Sequence, residues 1–420
     1  MRITQLELRN FRGVSDTSLT LHKNLNVFYG VNGAGKSTIL DAVAILLSWI
    51  ANRIKTPNAT ARNISEIDIR NGKNYSRIYL EGVYQDQDFY VRILKSRRGM
   101  MLPNGEKTGF KLKDFLSKIY DQVQQGGYCC LPLLAYYPVH RAVLDIPLRI
   151  KTKHEFGIFD IYEGSLTSAA NFRTFFEWYR NREDIENENI KIKLRLSEKY
   201  IDSQLSAVRS AISKFLPHFK DLSVYRSPLR MEVVKDGFKL RVDQLSDGEK
   251  CLMAMIGDIA RRLAIANPDC ENPLESNGIV LIDEIDLHVH PVWQHDIIPQ
   301  LTATFPNCQF IISTHSPHVL THVLPEQLFF LQMVNGELKV EHPRESYGKN
   351  VEQILRNNMG LQTTRPESVT KELDVIYRLI DLGRLDDAKG KIEDVRLSIG
   401  NDPELVRSSA LIKRKEVIGK

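Results

Sequence analysis

The 420-residue sequence has little cysteine: Cys129, Cys130, Cys251, Cys270 and Cys308 make an odd number with no Cys-x-x-Cys pair. Such spacing suggests neither a disulfide framework nor a zinc site, so the five read as small reduced core residues. Long membrane-type runs are also lacking. Apolar runs such as Ile279–Ile282 and Phe310–Ile312 are far too short to cross a bilayer, and the N-terminus enters a strand pattern at once, without a signal-peptide core. The expectation is a cytoplasmic chain with no membrane partner. A surplus of one charge is missing too: 57 Lys+Arg face 52 Asp+Glu, a net +5. With so weak a long-range field, any DNA contact must come from a local patch. What the chain does have is 42% hydrophobic residues, ample for buried cores in two to three domains.

The opening stretch alternates as a strand (Ile3, Leu6, Leu8), turns at Gly13, and returns as a strand ending in Leu25 to Tyr29. A Gly-rich loop follows, then a helix from about Ser37 to Ala51. Runs Ser76–Tyr84 and Phe89–Leu94, set between Asn71-Gly72, Gln85–Asp88 and Asn104-Gly105, predict an antiparallel sheet layered onto the core. Leu131–Tyr137 reads as a buried strand. Between about Ser165 and Phe219, Phe172, Phe175, Phe176 and Tyr179 recur at helical spacing and Arg180–Lys199 is densely charged. This is an inserted helical lobe, either a solvated arm or partner surface, or a simple surface helix pair. From Leu245 the pattern predicts helix 248–267, strand 279–282, helix 292–305, strand 309–313 and a strand near 327–332. The tail is helical, and its segment Leu379–Val395 resembles one helical-hairpin turn without a repeat period.

Gly30-Val31-Asn32-Gly33-Ala34-Gly35-Lys36-Ser37 matches GxxxxGK[ST] between a strand and a helix. Backbone amides of such a loop cradle phosphates, Lys36 reaches the β/γ oxygens, and the Ser37 hydroxyl ligates Mg²⁺. Ile279–Ile282 is an apolar strand ending in Asp283-Glu284, where an Asp can hold Mg²⁺ and a Glu can take a proton from an attacking water. The second carboxylate points to hydrolysis. Leu245-Ser246-Asp247-Gly248-Glu249-Lys250 opens a helix; Ser and Gly there offer hydroxyl, amide and dipole to an anion, or simply cap the helix.

Taken together, Leu245–Lys250, Asn10-Phe11-Arg12-Gly13 before the loop, Asp286 after the acidic pair and His315 after the next strand resemble the RecF/SMC/OLD-like branch of ABC ATPases. The resemblance spans about Met1–Gln332, interrupted by insertions. It implies an α/β, ABC-type P-loop ATPase head with an antiparallel β layer, an inserted helical lobe and a helical C-terminal region. It also implies ATP and Mg²⁺ as cofactors, with Gly30, Asn32, Gly33, Gly35, Lys36, Ser37 and Thr38 in the phosphate loop and Ser37 and Asp283 on the metal. Glu284 would be the base, His315 the γ-phosphate switch, Asn32 a positioner of the lytic water, Arg12 a neighbour of the nucleotide and Asp286 the loop that crosses a dimer interface. Ser246 and Gly248 of one subunit would face the γ-phosphate held by the other, making a homodimer or a higher homo-oligomer. Where this branch carries a glutamine after the Leu131–Tyr137 strand, the chain reads Pro138-Val139-His140-Arg141; His140 is a candidate substitute or a packed loop residue. His288-Val289-His290-Pro291 directly follows the Asp286 loop and shows no third zinc ligand at suitable spacing.

An intrinsic nuclease is not expected. The one isolated Asp-x-Asp, Asp86-Gln87-Asp88, sits in a hairpin turn, where Asp serves turn chemistry. With Tyr136–Arg141 and the run from Asp283 to Pro291, the overall arrangement looks like the PtuA-type ATPases of Septu and retron-associated anti-phage systems. That likeness implies an HNH nuclease (PtuB-like) as partner and, in retron systems, a reverse transcriptase with its msDNA. The alternatives are a RecF/SMC-like repair ATPase that clamps DNA, for which Arg92, Lys95, Arg97 and Arg98 could line a groove or form a solvated turn, and an ABC transporter cassette. The insertion lacks the sustained heptads of an SMC coiled coil, and the Asn-Phe-Arg opening is foreign to a transporter cassette. The expected division is 1–164 and 226–345 for the two lobes of the head, 165–225 for the insertion, and 346–420 for a partner or oligomer surface.

Overall fold

A computed structural model describes residues 1–103, 105–124, 131–139, 156–167, 172–194 and 200–418. Two compact units result, Met1–Lys349 and Asn350–Lys420. In the first, the chain runs β1 (Arg2–Phe11), β2 (Val14–Thr20), β3 (Leu25–Gly30), α1 (Lys36–Lys55), β4 (Tyr75–Tyr84), β5 (Gln87–Ser96), β6 (Gly109–Lys111), α2 (Lys113–Gln124) and β7 (Leu133–Tyr137). It continues through α3 (Phe172–Leu194), α4 (Ser203–Phe215), β8 (Phe219–Arg226), β9 (Leu229–Lys235), β10 (Phe238–Arg241), α5 (Asp247–Ala266), β11 (Gly278–Ile282), α6 (Pro291–Thr304), β12 (Cys308–Thr314), α7 (Pro317–Leu320), β13 (Leu328–Val334) and β14 (Glu337–Glu341).

The central sheet has the order β14-β13-β3-β12-β11-β7 and is parallel apart from the antiparallel β13–β14 edge. Every residue of β3, β7, β11 and β12 is buried, which is why these strands read as continuous apolar runs and not as alternations. The second sheet, β2-β1-β4-β5-β6, is antiparallel, and along β4 burial alternates residue by residue. Its β4–β5 turn places Gln85 and Asp86 at φ 46° and 61°, so Asp86 serves a two-residue hairpin.

α1 packs against strands of both sheets. By length and apolar composition it would pass for a membrane span, a stretch longer than Ile279–Ile282 or Phe310–Ile312. Its side chains are instead buried inside the fold: Ile39, Leu40, Val43, Ile45, Leu46, Leu47 and Ile50 are essentially inaccessible. Each contributes roughly 1.5–3 kcal/mol of burial free energy.

α3 and α4 pack on α5, with Phe172, Phe175, Phe176 and Tyr179 fully buried. Gly257 of α5 permits this approach, because a Cβ there would lie 2.7 Å from the Phe175 ring. Part of the charge that reads as a solvated arm turns inward. Glu183, Glu186 and Asp202 are buried and paired: Arg209 with Glu186 at 2.8 Å, Arg226 with Glu183 at 2.8 Å, and Arg182 with Asp202. Asp202 also caps α4 by accepting from Leu205 N at 2.8 Å. After α4 the sequence pattern missed a three-stranded antiparallel sheet, β10-β9-β8. A register shift between Lys220 and Ser223 breaks its alternation, and all of β8 but Arg226 falls in the 165–225 stretch that reads as the helical insertion.

The second unit holds α8 (Val351–Asn357), α9 (Glu367–Asp381), α10 (Leu385–Ile399) and α11 (Pro403–Ile418). Leu373, Ile376, Ile380, Ala388, Ile392, Val395, Leu405 and Ile412 form its core. Gly383, at φ 75°, turns α9 into α10 as a single helical hairpin.

Candidate functional site

The loop after β3 begins at Gly30, whose φ is 148° and where a Cβ would stand 2.2 Å from the Leu331 carbonyl oxygen of β13. No side chain fits there. Gly35, at φ 102°, occupies the N-cap of α1, and no side chain caps this helix. The first-turn amides of α1 and the positive end of its dipole therefore face outward without a side-chain acceptor, an arrangement suited to phosphate oxygens. Asn32, Gly33 and Ser37 are exposed around it, and Thr38 is half-buried. Lys36 is buried, its Nζ donating to the carbonyls of Gly30 at 2.9 Å and Val31 at 3.1 Å. Burial lowers the Lys36 pKa, against the opposing pull of Glu284, Asp283 and Asp286.

Those carboxylates reach Lys36 through sheet order. β3, β12 and β11 are parallel neighbours, with Tyr29 beside Thr314 and Ile312 beside Ile282, so residues just past their C-terminal ends meet at one edge. Asp283 N donates to Tyr137 O at 2.9 Å, and the Ser313 hydroxyl donates to Asp283 Oδ1. Glu284 takes a left-handed backbone, φ 48°, held by its amide donating to Ser313 Oγ at 2.8 Å and by Ile285 N donating to Ser313 O at 3.0 Å. Asp286 Oδ1 accepts from Thr314 Oγ1 at 2.6 Å and from His315 N at 3.2 Å. Burial, then the Lys36 cation, lower the His315 pKa below the ordinary histidine value; Asp286, Glu284 and Asp283 oppose them. Burial and Lys36 both favour the neutral imidazole.

At the start of α5, Ser246 is the N-cap of a reciprocal capping box. Ser246 N and Oγ both donate to Glu249 Oε2, at 2.9 and 2.7 Å, and Lys235 Nζ sits 2.5 Å from Glu249 Oε1. Gly248 lies against the loop after Asp286, since a Cβ there would be 2.2 Å from the His288 carbonyl oxygen. Arg12, with φ 48°, donates from Nη1 to Asp41 of α1 at 2.7 Å and from Nε to Asp68 at 2.9 Å. Burial disfavours its charge, but these two carboxylates outweigh burial and raise its pKa. Tyr136 of β7 is buried; burial, then the charges of Asp41 and Asp283, push its hydroxyl pKa far up.

An AAA-domain family model matches residues 5–214, and a second AAA-domain model matches 139–321. A retron Ec83 probable ATPase of Escherichia coli is 32% identical over 437 aligned positions, covering 90% of this chain and 80% of the relative. The chain belongs to the retron-associated ATPase family. A Septu protein PtuA of Bacillus thuringiensis is 24% identical across 90% of this chain and 89% of its own length. A solved SMC head bound to the C-winged helix domain of ScpA shares 16% identity over 81% of this chain and 97% of that one, at a TM-score of 0.47.

As a retron-type ATPase, the chain is an enzyme that binds nucleotide, and the P-loop ATPase head with its antiparallel layer and helical C-terminal region is the fold described above. Its geometry gathers Gly30, Lys36, Asp283, Glu284, Asp286 and His315 at one sheet edge. Ser37 and Asp283 offer hard oxygen donors suited to Mg²⁺, whose remaining ligands are commonly phosphates and water. His288 is exposed and His290 N-caps α6, its Nδ1 accepting from Val292 N at 3.3 Å; among the described residues no group of three or more His, Cys, Asp or Glu is placed to hold a metal. Arg92 and Arg97 donate to backbone carbonyls of Lys107 and Lys73, both at 2.9 Å, so two of the four groove cations serve turns of the retron ATPase. His140, Arg141, Cys129 and Cys130 lie outside the described residues. Sequence reasoning missed Asp41, Asp68, Ser313 and the closeness of Tyr136 to Asp41 and Asp283; only Asp41, one helical turn beyond Ser37, carried a readable signal.

Proposed function

We propose that this retron ATPase closes as a homodimer around two ATP molecules and that its nucleotide state regulates a separate HNH nuclease in bacterial anti-phage defence, beside a retron reverse transcriptase and its msDNA. One observation carries the reading. Within one chain, the loop lysine, the acidic pair and His315 stand in one electrostatic neighbourhood, whereas the hydrogen bonds of Ser246 go to Glu249 on its own helix. The helix end that would complete the phosphate shell is then supplied by a second copy. Assembly and nucleotide occupancy become one event.

In this mechanism Lys36 exchanges its two loop carbonyls for β/γ-phosphate oxygens, and the uncapped amides of α1 hold the remaining phosphate charge. Ser37 and Asp283 would hold Mg²⁺, which would supply neutralisation of phosphate charge. Glu284 accepts a proton from the attacking water, which Asn32 helps to position. Neutral His315 donates a hydrogen bond to the γ-phosphate, and Ser246 with Gly248 of the second copy stabilises charge from the opposite side. Arg12 supports the first turns of α1 through Asp41, and Asp286 ties the loop after the acidic pair to the switch segment.

Light scattering with and without ATP and Mg²⁺ tests the proposal, with Glu284→Gln to trap the bound form and Ser246→Arg as interface control. The expected result is a trapped form that is at least dimeric and that co-elutes with the HNH nuclease, with Ser246→Arg binding nucleotide but not turning it over. A trapped form that stays monomeric, with normal hydrolysis by Ser246→Arg, overturns the shared site.

A further inference from the structure

We propose that Gln294 is a positioning residue that locks the Asp286 loop and the His315 segment into one moving body. The inference rests on the ATP-switch reading above and extends it to a side chain outside the phosphate site. Gln294 lies on the first turn of α6, half-buried, and uses both of its N–H donors and one lone pair of its carbonyl oxygen. Its Nε2 donates to Val289 O at 2.8 Å and to Asp286 O at 3.2 Å, and its Oε1 accepts from Ser316 Oγ at 2.7 Å.

The amide orientation is dictated by its partners, because two carbonyls can only accept. The hydroxyl is equally constrained. Ser316 Oγ accepts from His318 N at 3.1 Å and Val319 N at 3.4 Å, so its single hydrogen is left for Gln294.

A closed ring results. The carboxylate of Asp286 binds Thr314 and His315 N, Thr314 Oγ1 accepts from Ser316 N at 3.0 Å, Ser316 binds Gln294, and Gln294 returns to the Asp286 carbonyl. The bonds of the Asp286 carboxylate already join the two segments at their near ends, and Gln294 adds a link through Ser316 farther along, which narrows the hinge between them. With Gln294 in place, any displacement of His315 on meeting a γ-phosphate is carried into Asp286–Val289. The His288 carbonyl in that stretch touches Gly248, so the displacement arrives at the N-terminus of α5.

Steady-state ATPase kinetics on the full chain test this with Gln294→Met, which keeps length and removes all three hydrogen bonds, with Ser316→Ala, and with the double variant. The expected result is a kcat lowered about tenfold or more in Gln294→Met with KM and fluorescent-nucleotide affinity changed less than about threefold, and a double variant no slower than Gln294→Met alone. A kcat within about twofold of wild type, or fully additive losses, overturns the inference. If Gln294→Met does not fold, Ser316→Ala decides: a lower kcat at unchanged KM upholds the coupling, and an unchanged kcat overturns it. A wild-type chain that binds ATP but never turns it over removes the switch reading itself. A wild type that is active, inactivated by Lys36→Ala and indifferent to Gln294→Met removes only the role of Gln294.

Discussion

The Ser313 hydroxyl donates to the Asp283 carboxylate while accepting from the Glu284 amide at 2.8 Å, so one oxygen on β12 orients both acids at the end of β11. Asp283 is buried, and Glu284 sits in a left-handed backbone that non-glycine residues adopt rarely. Ser313→Ala should lower ATP turnover by roughly tenfold, the scale of a buried hydrogen-bonding group left unsatisfied. Nucleotide affinity, measured by equilibrium binding, should change far less, because Lys36 and the α1 amides are untouched. Equal turnover in the variant would remove Ser313 from the catalytic geometry.

Ser246 caps α5, and the proposed dimer would give it a second, separable duty as a phosphate contact. Ser246→Ala should cost about 1 kcal/mol of stability and lose turnover. Ser246→Asp keeps a good cap, so its melting temperature should stay near wild type, yet it sets a negative charge against the phosphate and should abolish turnover. Thermal melts beside ATPase assays read both. An active Ser246→Asp would reduce the motif to a cap.

Asp258 on α5 is fully buried with Arg261 at 2.7 Å, Arg262 at 2.8 Å and the Tyr137 hydroxyl at 3.0 Å. Burial works against its charge, but Arg262 and Arg261 win and hold its carboxyl below the usual range. Asp258→Asn leaves two buried cations without a counter-charge and should destabilise the first unit by about 3–5 kcal/mol in chemical denaturation. Because the folded carboxyl is the stronger acid, its stabilisation is present above the unfolded pKa and disappears as pH falls through the folded value. The wild type should therefore lose stability in acid faster than Asp258→Asn.

His315 titrates below its ordinary value of 6.5, lowered first by burial and then by Lys36. The folded chain thus binds fewer protons at this site than the unfolded one, and the associated stability falls as pH drops through 6.5 toward the folded pKa. NMR titration of the His315 ring should give a midpoint under 6.5, and Lys36→Met should move it upward. An unchanged midpoint in that variant would place the lysine out of reach of the ring.

Legibility followed sequence distance. Gly30–Thr38 and Asp283-Glu284 stood out because phosphate and metal chemistry needs neighbouring residues on one turn. The β10-β9-β8 sheet was hidden by its register shift, and the buried pairs Arg209–Glu186 and Arg226–Glu183 looked like ordinary surface charge. Arg12 was legible as a candidate, but its partner Asp68 lies in a segment with no motif of its own.

By itself the sequence determined the chemical inventory: a glycine-rich loop, a cation, two adjacent acids, a capped helix start and a histidine after a buried strand. The tertiary structure alone decided which of these stand side by side. Inserting β12 between β3 and β11 brings Gly30, Asp283 and Thr314 to one edge, although some 250 residues separate the first from the second. Local periodicity reports which face of an element is buried, but not which strand lies beside it. That order comes from the long-range packing of β3, β12 and β11, and the hydrogen bonds of Ser313 and Gln294 exist only once it has formed.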